Sequence, residues 1–279
     1  MNLDVNKEVF DIWKEFSGDE NKVYKENFDK LVSKNNNEKL KNKDPLNNLC
    51  PITYKEDEYT KPEDDEYNYR FLFSGFNPSL NEKHYREKCE EINGKNIEPY
   101  EFFKYSKDET WDEDIVKVDY SLRHKKTSSF PDNYYSTYFD RLKEFIEEDI
   151  FKDRDDRNKL HHVHIDPFFI RGTNQNQARE ILMLNKKNNW KAMEDGFADK
   201  QLKLFEKMIK SYDPTHIIIL NATASHILSK RWKDENDIKT SFEFHRAKVI
   251  CGGMLFGAGG MDTYSKERFA KEIRKNLKR

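Results

Sequence analysis

A chain of 279 residues with 35% apolar, 37% charged and 14% aromatic residues is long enough for one sizeable domain with additions or two small ones, with Phe and Tyr filling much of the core. Lys and Arg number 50 against 52 Asp and Glu, so whole-chain charge marks neither a polyanion binder nor an enzyme of acidic substrates; any electrostatic footprint must be local. Cys50, Cys89 and Cys251 stand far apart without a C-x-x-C pair, which excludes the usual thiolate zinc and iron-sulfur spacings, and no run of about 18 apolar residues suits a membrane span. With a first stretch, MNLDVNKEVF, that lacks a basic start and an apolar core, these features predict a cytoplasmic protein without metal, other cofactor or membrane partner.

Apolar positions at helical spacing come first: Val5, Val9, Ile12, Trp13 and Phe16, then Val23, Tyr24, Phe28, Leu31 and Val32. They predict two amphipathic helices divided near Ser17-Gly18. SKNNNEKLKNKDPLNN and the acidic KEDEYTKPEDDE follow as polar, turn-rich loops, so residues 1–60 read as a helical extension and linker before a main domain over 61–279. From residue 68 short apolar runs alternate with helical ones. YRFLFSG (69–75), HHVHID (161–166), THIIIL (215–220) and AKVIC (247–251) are strand-like, while 133–150, 190–211, 222–232 and 264–277 carry helical periodicity. Runs as apolar as IIIL suit strands covered on both faces, and strands alternating with helices suit parallel pairing. The expected fold is therefore α/β: a three-layer α/β/α sandwich with a central four-stranded parallel sheet, plus the N-terminal helical extension.

Ligands of such sheets sit outside the carboxyl ends of the strands. The four predicted ends are Gly75-Phe76-Asn77-Pro78, Asp166-Pro167-Phe168, Asn221-Ala222-Thr223 and Gly252-Gly253-Met254-Leu255. Asn77 offers an acceptor oxygen and donor nitrogens, enough to orient water without being a strong base, though Gly75 to Ser79 would also serve as a plain turn. Asp166 suits either activation of water or acceptance of hydrogen bonds from an amino group, or alternatively a cap before Pro167. Arg171, Thr173, Asn174 and Gln175 form a polar string able to bond a base edge or phosphate, with helix capping as the competing role of Thr173 or Asn174.

Strand ends of this kind, in this order, resemble the uracil-DNA glycosylase superfamily, whose first motif has the form Gly-x-Asn-Pro in its mismatch-specific and single-strand-selective branches and stands here as GFNPS, 75–79. YSTYFDRLKEF (135–145), HIDPFFIRGTNQ (164–175), THIIILNATASHIL (215–228) and VICGGMLFGAGGMDTYSKERFAKEI (249–273) extend the likeness over about residues 68–279. The resemblance implies a monofunctional, metal-free DNA glycosylase acting as a monomer on DNA. It implies Asn77 and Asp166 as catalytic groups, and Gly75, Phe76, Pro78, Phe103, Arg171, Thr173, Asn174 and Asn221 around the base. It further implies Ser79, Arg123, Lys125, Lys126, Gly253, Met254 and Leu255 against DNA. Phe103, beside Tyr100 and Phe102, stands where relatives carry a stacking phenylalanine. Arg123-His124-Lys125-Lys126 precede small hydroxyl residues, as in phosphate-contacting loops, and equally as in a solvated loop.

The second motif departs from the family. Where His-Pro-Ser or Asn-Pro-Ser is usual, its first residue stabilising charge on the departing base, this chain has Gly252-Gly253, which offers only backbone N–H groups. Met254 and Leu255 then fit either a wedge into the base stack or packing on the last helix, which is rich in Lys266, Arg268, Lys271, Arg274, Lys275, Lys278 and Arg279. A glycine-lined pocket suggests a bulkier base than uracil, including hypermodified cytosines of phage DNA. A catalytically inactive DNA- or nucleotide-binding module on the same fold remains the alternative. A phosphate-loop enzyme is disfavoured, because no strand is followed by G-x-G-x-x-G or G-x-x-x-x-G-K-[ST]. His162 and His164 share a strand face, a pattern read as structural for want of a third metal ligand.

Overall fold

YRFLFS alternates the aromatic Tyr69, Phe71 and Phe73 with Arg70, Leu72 and Ser74, and in the computed structural model Tyr69–Ser74 forms strand β1, its last four residues all buried. The structure describes residues 3–17, 26, 50–63, 67–76, 82–94, 106–107, 110–111, 113–124, 134–152, 154–171, 175–184, 190–233, 240–256 and 260–277. They fall into two compact units. Asp57–Phe76, Lys126–Pro167 and Lys207–Arg279 make the sheet unit, and Met1–Glu56, Asn77–Lys125 and Phe168–Glu206 make the other.

In the sheet unit β1 is joined by β2 (Leu160–His164), β3 (His216–Ile219), β4 (Ser241–Phe244) and β5 (Ala247–Cys251). The order is β2-β1-β3-β5-β4, with the first four parallel and β4 antiparallel to β5. The sheet thus has five strands rather than the four expected. SFEF is too short and too polar to stand out, and its two-residue link to β5 uses His245, at φ 50°, where a hairpin usually announces itself with Asn-Gly.

Alternation along the strands sends Phe71, Phe73, Ile218, Leu220 and Ile250 to one face. There they join Leu142, Phe145, Ile146, Phe269 and Ile273 in a single buried cluster. Those partners come from α4 (Tyr134–Glu144), the π-helical turn Phe145–Ile150 that extends it, and α8 (Thr263–Asn276). The opposite face meets α6 (Phe197–Tyr212), whose Tyr212 hydroxyl donates to the carbonyl of Phe71 at 3.3 Å, and α7 (Ala222–Lys233), whose Ser225 donates to the carbonyl of Gly252 at 3.0 Å. Helices therefore cover both faces, as an α/β sandwich requires. Each fully buried Phe, Ile or Leu contributes about 1.5–3 kcal/mol of hydrophobic stabilisation before chain entropy is set against it.

In the second unit α1 (Val5–Ser17) buries Val5, Val9, Ile12, Trp13 and Phe16, the stripe expected of the first N-terminal helix. Trp13 and Phe16 meet Phe197 with ring centroids 5.0 and 5.3 Å apart. The second expected helix, 23–32, lies almost wholly outside the described residues. Helices α2 (Glu82–Asn93), α3 (Glu113–His124) and α5 (Gln175–Ile181) belong to this unit, with two short antiparallel pairings, Cys50–Pro51 with Ile170–Arg171 and Ser106–Lys107 with Thr110–Trp111. The helix expected from residue 190 begins at Phe197 instead, because Trp190 and Asp195 hold positive φ of 60° and 55°. Among the described residues no helix is long and apolar enough to cross a membrane.

Candidate functional site

The carboxyl ends of β1, β2, β3 and β5 carry Ser74-Gly75, Ile165-Asp166, Leu220-Asn221 and Gly252-Gly253. Chain order reverses at β1: the chain leaves it outward to β2, then returns across it to β3. The ends of β1 and β3 therefore flank the switch point, the usual ligand crevice of an open α/β sheet.

Asp166 is the best-anchored carboxylate on this edge. It is 4% exposed, and its Oδ1 accepts from the backbone N–H of Gly75 at 2.5 Å and from Nε2 of His164 at 3.2 Å. Glycine is required at 75 by that approach, since a Cβ there would stand 2.8 Å from the same oxygen. Aromatic rings surround the pair. Tyr138 and Phe139 meet the His164 ring edge to face at 5.6 and 5.4 Å, and Phe256 meets Tyr138 at 5.8 Å. Burial, and then the charge of Asp166, push the Tyr138 phenol far above its ordinary range, so it stays a neutral donor.

Asn221 caps α7: its Oδ1 accepts from the backbone N–H groups of Thr223 and Ala224 at 2.9 and 3.1 Å. Gly252 is committed to packing. Its N–H donates to Ile219 at 2.8 Å, and a Cβ at 252 would fall 2.6 Å from Cζ of Phe269, so α8 occupies the volume that a histidine or asparagine would need. At Gly253 an added Cβ meets, among the described residues, only Met261, at 3.6 Å.

Two expectations are corrected. Leu255 is 3% exposed and belongs to the core cluster with Phe269 and Ile273, whereas a wedge must stand free; only Met254, 39% exposed, has that character. Arg171 does not face outward as a reader of base edges. It lies in the other unit, 2% exposed, its Nη2 donating to Oδ1 of Asp119 at 2.5 Å, while Oδ2 of Asp119 takes the N–H and hydroxyl of Thr53 at 2.7 and 2.8 Å. Phe76 is buried at 3% exposure. Asn77, Pro78, Ser79, Phe103, Lys125, Lys126, Thr173 and Asn174 lie outside the described residues, as does the Arg123 side chain at the end of α3.

Neither cysteine side chain among the described residues is set up for nucleophilic chemistry. Burial, and then the charge of Asp119, push the Cys89 thiol up to about 12, and burial raises that of Cys251, so neither presents a thiolate near neutral pH. Among the described residues no three His, Cys, Asp or Glu side chains gather where a metal ion would be held. The residues to which sequence reading gave no role are Tyr138, within the helical stretch 133–150, and Phe256, together with the pairing of His164 and Asp166. The i, i+2 spacing of those last two at a strand end was the available signal, because alternation puts both on one side.

No family model, curated protein or solved structure matches the chain.

Proposed function

We propose that this protein is a monofunctional DNA glycosylase of the uracil-DNA glycosylase type, which draws a damaged, deaminated or modified base out of the stack and hydrolyses its N-glycosidic bond. The observation that carries this reading is the anchored Asp166 carboxylate, bonded to the first residue of the GFNPS turn at the switch point of the sheet. In the reaction a water oxygen forms a bond to C1′ as the C1′–N bond breaks and its electron pair departs on the base. Asp166 takes the proton released by the water, and Asn77, two residues after Gly75, holds that water through its side-chain amide. Tyr138 and Phe256 supply aromatic surface beside the carboxylate for the extruded base. Uracil or a bulkier modified pyrimidine, including those of phage DNA, is the proposed target, and the exposed Met254 is the wedge.

The free thiols of Cys89 and Cys251 support a reducing compartment, and we place the protein in the cytoplasm as a monomer. One feature favours a second reading, a DNA- or nucleotide-binding module without chemistry: Phe269 leaves no room at Gly252 for the side chain that stabilises a departing base in the family. Alkali-sensitive cleavage of oligonucleotides carrying single uracil or bulky cytosine derivatives separates the two. The glycosylase reading expects abasic sites from the wild type and a rate lower by about 10²–10⁴-fold in Asp166→Ala and Asn77→Ala. Binding without abasic sites favours the module, and undiminished yield from both variants removes the site assignment.

A further inference from the structure

His164 ends β2 and Asp166 follows two residues later, so the pleat turns both side chains to one side of the sheet edge. The imidazole Nε2 and the Gly75 N–H converge on one carboxylate oxygen, Oδ1, at 3.2 and 2.5 Å. Oδ2 has no hydrogen-bond partner among the described residues. The other imidazole nitrogen, Nδ1, is buried and also without a partner among them, while the ring is held edge to face by Tyr138 and Phe139 at interplanar angles of 86° and 89°. A proton on Nδ1 would be a buried donor with nothing to bond, whereas Nε2 faces a carboxylate oxygen, so Nε2 is the nitrogen that donates to Asp166.

We propose that His164 is a positioning residue: it fixes the rotation of the Asp166 carboxylate through Oδ1, so that Oδ2 is the oxygen presented to the attacking water. The proposal rests on the glycosylase reading and adds a group that the family motifs do not contain. Its role is to donate one hydrogen bond, not to transfer a proton or to fill space. Two substitutions separate these roles. His164→Phe keeps an aromatic ring and loses the donor; His164→Gln loses the ring and keeps an N–H close to where Nε2 stood.

The test is a single-turnover rate on a labelled oligonucleotide carrying one uracil or one 5-hydroxymethylcytosine, measured beside DNA affinity by fluorescence anisotropy and thermal melting by circular dichroism. Expected is a rate on the order of 10- to 100-fold lower in His164→Phe, with unchanged affinity, and recovery of most of that loss in His164→Gln. A wild-type rate in His164→Phe overturns the proposal and leaves the glycosylase reading standing. Loss in both variants with melting preserved also overturns it, because the ring rather than the donor would then matter. No abasic product from the wild type on either oligonucleotide overturns both the reading and the proposal.

Discussion

Arg171 sits in RGTNQ, a run whose polar side chains suit base edges, and nothing within those five residues reveals that Asp119, 52 positions earlier, is its partner. Long-range pairing of this kind is invisible to local pattern. A carboxylate and a guanidinium both nearly out of water are a stable arrangement only together, because the field of each offsets the desolvation of the other. Arg171→Ala leaves the carboxylate, among the described residues, with the two Thr53 donors. We expect it to cost about 3–5 kcal/mol in urea unfolding. A loss below about 1 kcal/mol would mean that water reaches Asp119. The place of Asp166 at the sheet edge was legible, since a carboxylate just past a strand of a parallel sheet has its position dictated by local chain geometry alone.

Elements were legible in proportion to their apolar content. IIIL and FLFS read as strands because both faces of the sheet are covered, and the Val5–Phe16 stripe read as a helix because one side of it is buried. The antiparallel β4 escaped because its burial is partial, as befits an edge. The end of β5 shows how packing between elements can fix a residue type. Gly252 lies under the Phe269 ring, which stacks on Phe145 with centroids 6.2 Å apart, so the β5–α8 contact excludes any Cβ. Gly252→Ala is expected to destabilise the fold by about 1–3 kcal/mol through overpacking. Adding Phe269→Ala to it should then cost less than Phe269→Ala costs in the wild-type background. Additive costs in the double-mutant cycle would show that Phe269 can move aside and that glycine is kept at 252 for another reason.

Over the whole molecule, 50 Lys and Arg against 52 Asp and Glu leave a net charge of −2 at pH 7, a balance that acid removes by neutralising one side only. Stability then depends on which carboxylates hold their charge longest. Asp156, just before β2, is bonded by Arg154 at 2.8 and 2.6 Å and by the hydroxyl of Tyr69, at the start of β1, at 2.9 Å. The Arg154 hydrogen bond, followed by that of Tyr69, outweighs burial and lowers its pKa from 3.8 to about 2. A carboxylate with a depressed folded-state pKa binds its proton more readily in the unfolded chain, so its contribution is fully present above the unfolded value of 3.8 and disappears as pH falls through about 2. Asp156→Asn should therefore lower stability at pH 7 and flatten the fall between about pH 4 and pH 2, the two proteins converging at the acid end. Urea midpoints measured across that range decide it. Parallel curves for the two proteins would place the acid sensitivity in other carboxylates and leave Arg154 and Tyr69 as a contact without linkage to protons.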